Sequence, residues 1–225
     1  AERGARVMAV ARSESELEAL GLDYVAADLG SATGCAQVVE ETVRRLVGID
    51  IFVCNLGIGS AHERVNWEQD PATWEETIRV NLDAPFYLSR LITAGMVERA
   101  YGRCVYVAST AGDVAEHAGS AYTAAKHGLI GLARAVAQDC GEFNVTSNAV
   151  LPGWVKTAMA DRSARAEAKQ RGLTADEIWQ ERASLYRPKR VATPQEVAEM
   201  IAFFASEESS GVSAQAVKVA LGSET

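Results

Sequence analysis

The sequence has no run of apolar residues approaching the ~18–20 that a membrane-spanning helix needs, so no membrane segment is expected. It has no excess of basic charge. The 22 Lys and Arg stand against 30 Asp and Glu, a net charge of −8, which argues against nucleic acid or an anionic membrane as a partner. Cysteine is sparse: Cys35, Cys54, Cys104 and Cys140 lie far apart and form no C-x-x-C. That usage suits buried thiols in a reducing compartment, not a disulfide framework or a zinc site. His62, His117 and His127 share no metal-ligand spacing, so no metal is expected. No secretory signal pattern is visible, nor any repeat or low-complexity tract, and a cytoplasmic location is expected. Asn144-Val145-Thr146 has the form of a glycosylation acceptor, which carries no meaning in that compartment.

What is present is ordinary for a globular protein: 48% apolar and 23% charged residues in 225, enough for one α/β domain with a large core. Ala1–Arg6 reads as the end of a helix stopped at Gly4. Val7–Ala11 is a short strand, and Ser13-Glu14-Ser15-Glu16 reads as a capping box opening a helix to Leu20. Tyr24–Leu29 is a second strand. Ser31–Val47 is helical, with Val38, Val39, Thr42, Val43 and Leu46 at helical spacing. Asp50–Leu56 is so nearly all apolar that it reads as a strand buried on both faces.

After the Gly57-Ile58-Gly59 loop, Asp70-Pro71 caps a helix running to about Ala100 and bent near Pro85. Strands follow from Gly102 to Ser109 and from Val145 to Leu151, around a helix from Tyr122 to about Phe143. The polar segment 157–190, with a capping box at Thr174 to Glu177, reads as a substrate loop or lid. A helix starting at Thr193-Pro194-Gln195-Glu196 and a strand over Val212–Leu221 complete the chain. Strands alternating with helices of these lengths imply βαβ units and a parallel sheet.

The chemistry concentrates between Val105 and Leu132. Ser109 closes a β-branched and aromatic run and belongs at the carboxyl end of a buried strand. Tyr122 and Lys126, four residues apart, share one helical face. A phenol titrates near ~10, and an ammonium held beside it favours the phenolate. Such a pair makes a proton donor or acceptor usable near neutral pH. The plainer readings are that Y-x-x-x-K arises by chance in many helices and that a serine ending a strand is a turn former.

The combination of strand, Ser109, Tyr122 thirteen residues on, and then Lys126 resembles the short-chain dehydrogenase/reductase family, and the resemblance covers almost the whole chain. It implies a Rossmann-type doubly wound parallel sheet forming a single dinucleotide-binding catalytic domain over 1–225. It implies hydride transfer between a nicotinamide and a ketone or secondary alcohol. In reduction Ser109 positions the carbonyl oxygen, Tyr122 donates the proton, and Lys126 lowers the phenol's pKa and holds the nicotinamide ribose. Asn81, in R-V-N-L, matches the helix asparagine that holds a relay water; by itself it reads equally as a kink residue. Asp28 matches the position that contacts adenine, with Leu29 beside it. Asn55-Leu56-Gly57 is similar to the family's N-A-G turn, with leucine in place of alanine. Pro152-Gly153-Trp154-Val155-Lys156-Thr157 is similar to P-G-x-x-x-T, which embraces the nicotinamide carboxamide through Pro152, Gly153, Val155 and Thr157.

Arg12 bears on the cofactor. An acidic residue ending the second strand of this fold selects NAD, and an arginine nearby accommodates the 2′-phosphate of NADP. Here the acidic position is Ala11 and Arg12 follows, so NADP(H) is expected over NAD(H). The other reading of Arg12 is a residue that merely faces solvent. Trp154, Trp179 and Tyr186 read as pocket lining or as packing.

Two departures stand out. The family's T-G-x-x-x-G-x-G signature is absent, so the first strand and glycine-rich loop of the fold are not in this chain. Val7–Ala11 and Ile51–Leu56 then lose a shared neighbour, each unpaired buried backbone group costing ~1–3 kcal/mol. The residues are accordingly expected to be part of a longer chain, or else a rearranged fold that binds no dinucleotide. The tail Ala214-Gln215-Ala216 replaces the usual ending and, with P-G-W-V-K-T-A-M, is similar to aromatic polyketide ketoreductases. That implies a β-ketoacyl or polyketide-type ketone as the small-molecule substrate, and family resemblance implies a homodimer or homotetramer. The alternatives are a catalytically inactive relative serving as a binding or assembly module, and a lyase or epimerase on a related extended fold.

Overall fold

The computed structural model describes residues 3–60 and 63–222. Its elements are β1 (Met8–Ala11), α1 (Glu14–Glu18), β2 (Asp23–Ala26), α2 (Ala32–Leu46), β3 (Ile51–Cys54), α3 (Pro71–Ile78), α4 (Ala84–Glu98), β4 (Gly102–Val107), α5 (Ser120–Cys140), β5 (Val145–Pro152), α6 (Ala158–Arg171), α7 (Ala175–Ser184), α8 (Pro194–Phe204) and β6 (Ala216–Val219). Every strand pairing is parallel, as crossover connections through helices require. The sheet is in two parts, β2–β1 and β3–β4–β5–β6. Among the described residues no ladder joins β1 to β3, and the break falls where the resemblance puts the glycine-bearing strand.

The core explains the sequence pattern of the central strands. All six residues of β4 are buried, because helices cover both faces. Cys104 and Tyr106 pack with Leu88, Ile92 and Leu129 of α4 and α5. Val105 points the other way, to Val150 of β5 and to Val197 and Phe204 of α8. Two-sided cover turns strand alternation into a continuous apolar run. The rings of Phe52 and Tyr106 meet edge to face at 5.8 Å, anchoring β3 to β4.

Several expectations need correction. β3 is not buried on both faces: Phe52 and Cys54 are buried, while Ile51 and Val53 are 38% and 41% exposed. Successive side chains point to opposite faces, and among the described residues only one face of β3 is covered. The long helix after Asp70 is broken over Arg79–Asp83 by a π turn in which Ala84 N–H reaches back to Arg79 O. Pro85 is the cause expected, but the distortion lies before it: proline has no N–H to give to the carbonyl four residues earlier, that of Asn81. Ser13 precedes α1 without a side-chain cap bond, so the capping box there is not formed. The boxes at Thr174–Glu177 and Thr193–Glu196 are both formed. The last strand is only Ala216–Val219. The expected helix end over Ala1–Arg6 lies partly outside the described residues; Arg3–Arg6 are not helical, and Gly4 has φ +87°. His62 also lies outside them.

The segment 157–190 is not loose chain. Ala164, Ala168, Ile178 and Trp179 form a small apolar cluster between α6 and α7. Arg182 is buried there with its guanidinium 3.6 Å from the Trp154 ring centre and donating to Glu167 at 2.9 Å.

Gly102 tests the packing. A Cβ added there would lie 2.7 Å from Cγ and 2.9 Å from Cβ of Met96, which is fully buried. Gly102→Ala should lower unfolding stability by about 1–3 kcal/mol in urea titration. An unchanged midpoint would show that Met96 can move aside.

Candidate active site

Parallel strands put their carboxyl ends on one edge, where open α/β sheets bind ligands. Asn55 follows β3, Ser109 follows β4, and Pro152-Gly153 closes β5. α5 crosses that edge with Tyr122 in its first turn and Lys126 one turn on. The Lys126 ammonium is 5.6 Å from the Tyr122 ring centre, so the two share a face as the spacing predicts. Lys126 is buried at 4% exposure, and its Nζ donates to Val107 O at 3.1 Å. Ser109 is extended, and its Oγ accepts from Ala111 N–H at 3.2 Å. The Ser109 hydroxyl lies close enough to that of Tyr122 to favour its ionised form.

Asn81 is fully buried at the π turn. Its Oδ1 accepts from Ile58 N–H at 3.2 Å, and its Nδ2 donates to Ile58 O at 3.2 Å and to Thr77 O at 3.0 Å. The side chain clamps the loop after β3. Pro85, four residues on, has no N–H to offer the Asn81 backbone carbonyl. Gly57 is required at the contact: a Cβ there would stand 2.7 Å from Asn81 Oδ1 and 3.4 Å from Lys126 Nζ.

Burial sets the two pKa values, and it works against part of the expectation. It pushes the Tyr122 phenol up to about 12; the nearby Ser109 hydroxyl opposes this, and Glu116 and Glu63 add to it. Burial of the phenol outweighs the pull of the Lys126 ammonium beside it. Burial pulls Lys126 down to about 8, so it remains mainly charged at neutral pH. The arrangement holds a protonated phenol beside a cation, the state suited to giving a proton. Even at about 12 the phenol is a stronger acid than an aliphatic alcohol.

A cleft of about 1240 Å³ opens between β1 and β3, larger than the ~300–1,000 Å³ of ordinary ligand pockets. Arg12, Asp28, Leu29, Asn55 and Gly57 line it. Ser109, Tyr122, Lys126, Pro152, Gly153, Val155 and Thr157 lie outside its wall; Gly57, touching both groups, joins the two halves. Arg12 is exposed at the end of β1. Asp28 is exposed and accepts from Gly30 N–H at 3.0 Å, while Leu29 is buried in the core. Thr157 caps α6, its Oγ1 accepting from Ala160 N–H at 3.2 Å. Val155 pairs with Ala192 in a parallel bridge. His117 and His127 are exposed, His127 against Thr123 O.

Two residues at the site escape sequence reasoning, and the partner of a third does. Glu63 bonds the first turn of α5. Arg79 lines the cleft and donates to Gly30 O. Tyr186 is buried, and its hydroxyl accepts from Trp154 N–H at 2.7 Å, so of its two readings it is the packing one. No spacing rule connects any of them to its partner; each contact is made by tertiary folding.

These features define a doubly wound α/β protein with its reactive groups gathered at the carboxyl edge of the sheet. A family model described as enoyl-(acyl carrier protein) reductase matches residues 1–224. D-beta-hydroxybutyrate dehydrogenase of Cupriavidus necator is 32% identical over 84% of this chain and 73% of its own length. The 3-oxoacyl-(acyl-carrier-protein) reductase of Escherichia coli is 30% identical over 97% of this chain and 87% of its own. The structure of a variant actinorhodin polyketide ketoreductase with NADPH superposes with a TM-score of 0.91 at 30% identity, covering 98% of this chain and 88% of that one. The chain belongs to the short-chain dehydrogenase/reductase family, a family of oxidoreductases.

Lys126 makes the site costly to fold. Its pKa in the folded chain lies below its unfolded value of 10.5, so between about 8 and 10.5 the unfolded chain binds more protons and this group adds stability as pH rises. Lys126→Met should make the protein about 2 kcal/mol more stable at pH 7 and flatten that part of the stability–pH curve. A less stable variant in denaturant titration at pH 7 would contradict the assigned cause.

Proposed function

We propose that the protein is an NADP(H)-dependent reductase that converts a small ketone to a secondary alcohol, with Tyr122 as the acid. The observation that carries this is the convergence of Ser109, Tyr122 and Lys126 at the carboxyl edge of β4. When bound, NADPH supplies the hydride that adds to the carbonyl carbon. Ser109 donates to the carbonyl oxygen and orients it, and Tyr122 delivers its proton to the same oxygen. The Lys126 charge steadies the phenolate left behind and, by family resemblance, its amine holds the nicotinamide ribose. Reprotonation runs through a water held by Asn81, the role that family resemblance gives it.

The residues present fit the two ends of the cofactor. Gly57 lets the loop after β3 pack closely against Asn81 and Lys126, joining the two ends. Arg12 offers a guanidinium to a 2′-phosphate at the end of β1, with Asp28 and Leu29 beside the adenine and Asn55 along the wall. Pro152, Gly153, Val155 and Thr157 serve the carboxamide end. Residues 157–190 form the substrate lid: Met159 of α6 is the nearest neighbour of Gly59, in the loop after β3. The whole of 1–225 acts as one catalytic domain. A β-ketoacyl or polyketide-type ketone is the substrate class, supported by the acyl and polyketide reductases among the relatives. Four buried free thiols support a reducing, cytoplasmic setting. The α4 and α5 helices are the pairing surface of a homodimer or homotetramer, with Phe86 of α4 exposed. The tail Ala214-Gln215-Ala216, which departs from the usual family ending, favours a second reading, a binding or assembly module without catalysis.

The test is NADPH oxidation with a panel of β-ketoesters and aromatic ketones. Tyr122→Phe should lower kcat on the order of 10²–10⁴-fold. Arg12→Asp should weaken NADPH relative to NADH by about 10–100-fold in KM. Binding of NADPH with no turnover of any ketone would favour the binding module; no binding at all would sink the cofactor assignment.

A further inference from the structure

We propose that Glu63 is a positioning residue for Tyr122, its carboxylate fixing the first turn of α5 against the loop that follows β3. The proposal rests on the reading of Tyr122 as the proton donor.

A helix begins with N–H groups that have no partner inside it. In this chain most helices satisfy them locally: Ser31, Asp70, Thr157, Thr174 and Thr193 each accept from the turn that they precede. α5 follows Gly119, which has no side chain to offer. Its cap comes from far along the chain. Glu63 Oε2 accepts from Ala121 N–H at 3.0 Å, and Oε1 accepts from Tyr122 N–H at 2.8 Å. The carboxylate is only 5% exposed, and a negative charge is favoured at this end of a helix. One of the two charge-assisted bonds falls on the backbone of Tyr122 itself.

The same loop is held at its other end. Ile58 exchanges two hydrogen bonds with Asn81, and Gly57 lies against Asn81 and Lys126. The backbone of Glu63 is fixed by its N–H to Ser60 O at 2.9 Å, and Arg64 Nη1 donates to Glu63 O at 3.0 Å. The distance from the loop after β3 to the Tyr122 hydroxyl is thus set through Glu63. A shift of one ångström in such a placement costs about 10²-fold in rate.

The carboxylate also acts through charge. The groups facing Tyr122 are Lys126 on its own helix, Ser109 after β4, Glu116 in the segment before α5, and Glu63. Those facing the Glu63 carboxylate are Glu116 and the two helix N–H groups. Glu63 and Glu116 both favour the protonated phenol. Neutralising Glu63 therefore lets the phenol ionise more readily, so that reduction, which needs the protonated form, fails at a lower pH.

The experiment compares Glu63→Gln, Glu63→Asp and Tyr122→Phe in the full chain, measuring kcat, KM and the pH profile of NADPH-dependent ketone reduction per folded molecule. Glu63→Gln presents an NH₂ to one of two N–H donors. It should lower kcat about 10-fold or more, leave KM for NADPH within about 2-fold, and move the basic limb of the kcat profile to lower pH. Glu63→Asp keeps the charge and should keep the limb in place, with a smaller loss of kcat. If Glu63→Gln does not fold, Glu63→Asp decides: wild-type kcat overturns the proposal, and reduced kcat with an unmoved limb supports it. A wild-type kcat and limb in folded Glu63→Gln, or a loss confined to stability, overturns it as well. Should Tyr122→Phe remain fully active, the reading of Tyr122 itself fails, an outcome distinct from failure of the Glu63 assignment.

Discussion

A lysine ammonium with almost no access to water sits under the carboxyl end of β4, and much of the local structure exists to tolerate it. Among the described residues its acceptor is the carbonyl of Val107, the last residue of β4. An unpaired buried ion would not survive folding, so the end of β4 and the first two turns of α5 cannot separate. Gly57 lies beside the same group: a Cβ there would touch Lys126 and press on Asn81 Oδ1. Phe52 and Tyr106, packed edge to face below, hold β3 and β4 in the register that sets Cys54 against Tyr106.

Much of this was legible in the residues. Tyr122 and Lys126 share a face because the helical period requires it. Ser109 falls at the strand end because the β-branched run stops there. The capping boxes of Thr174 and Thr193 form because both partners lie within four residues of each other. Local rules fail where the deciding partner is remote. Ile51 and Val53 look like core, but exposure depends on what covers the strand. The π turn at Asn81 needs both Pro85 and the Ile58 loop to be placed. The phenol's pKa could not be read from its neighbour at four residues: desolvation, a property of the whole fold, outweighs the charge beside it.

The cleft lined by Arg12, Asp28 and Asn55 lies between β1 and β3, which share no ladder among the described residues. β4 and β5 are instead covered on both faces by helices. Ser109, just past the end of β4, and Tyr122, in the first turn of α5, are half-buried, so their positions are fixed by packing below while their hydroxyl ends stay within reach of a ligand.

The two halves meet at the loop between β3 and α3. Asn81 holds that loop with its side chain: both N–H groups of its amide donate, to Ile58 O and Thr77 O, and its Oδ1 accepts from Ile58 N–H. The backbone around it departs from the regular helix, with Ala84 bonded five residues back and Pro85 lacking a donor. One residue thus ties the loop after β3 to the point where the helix is distorted, and neither the loop nor the π turn can move without the other.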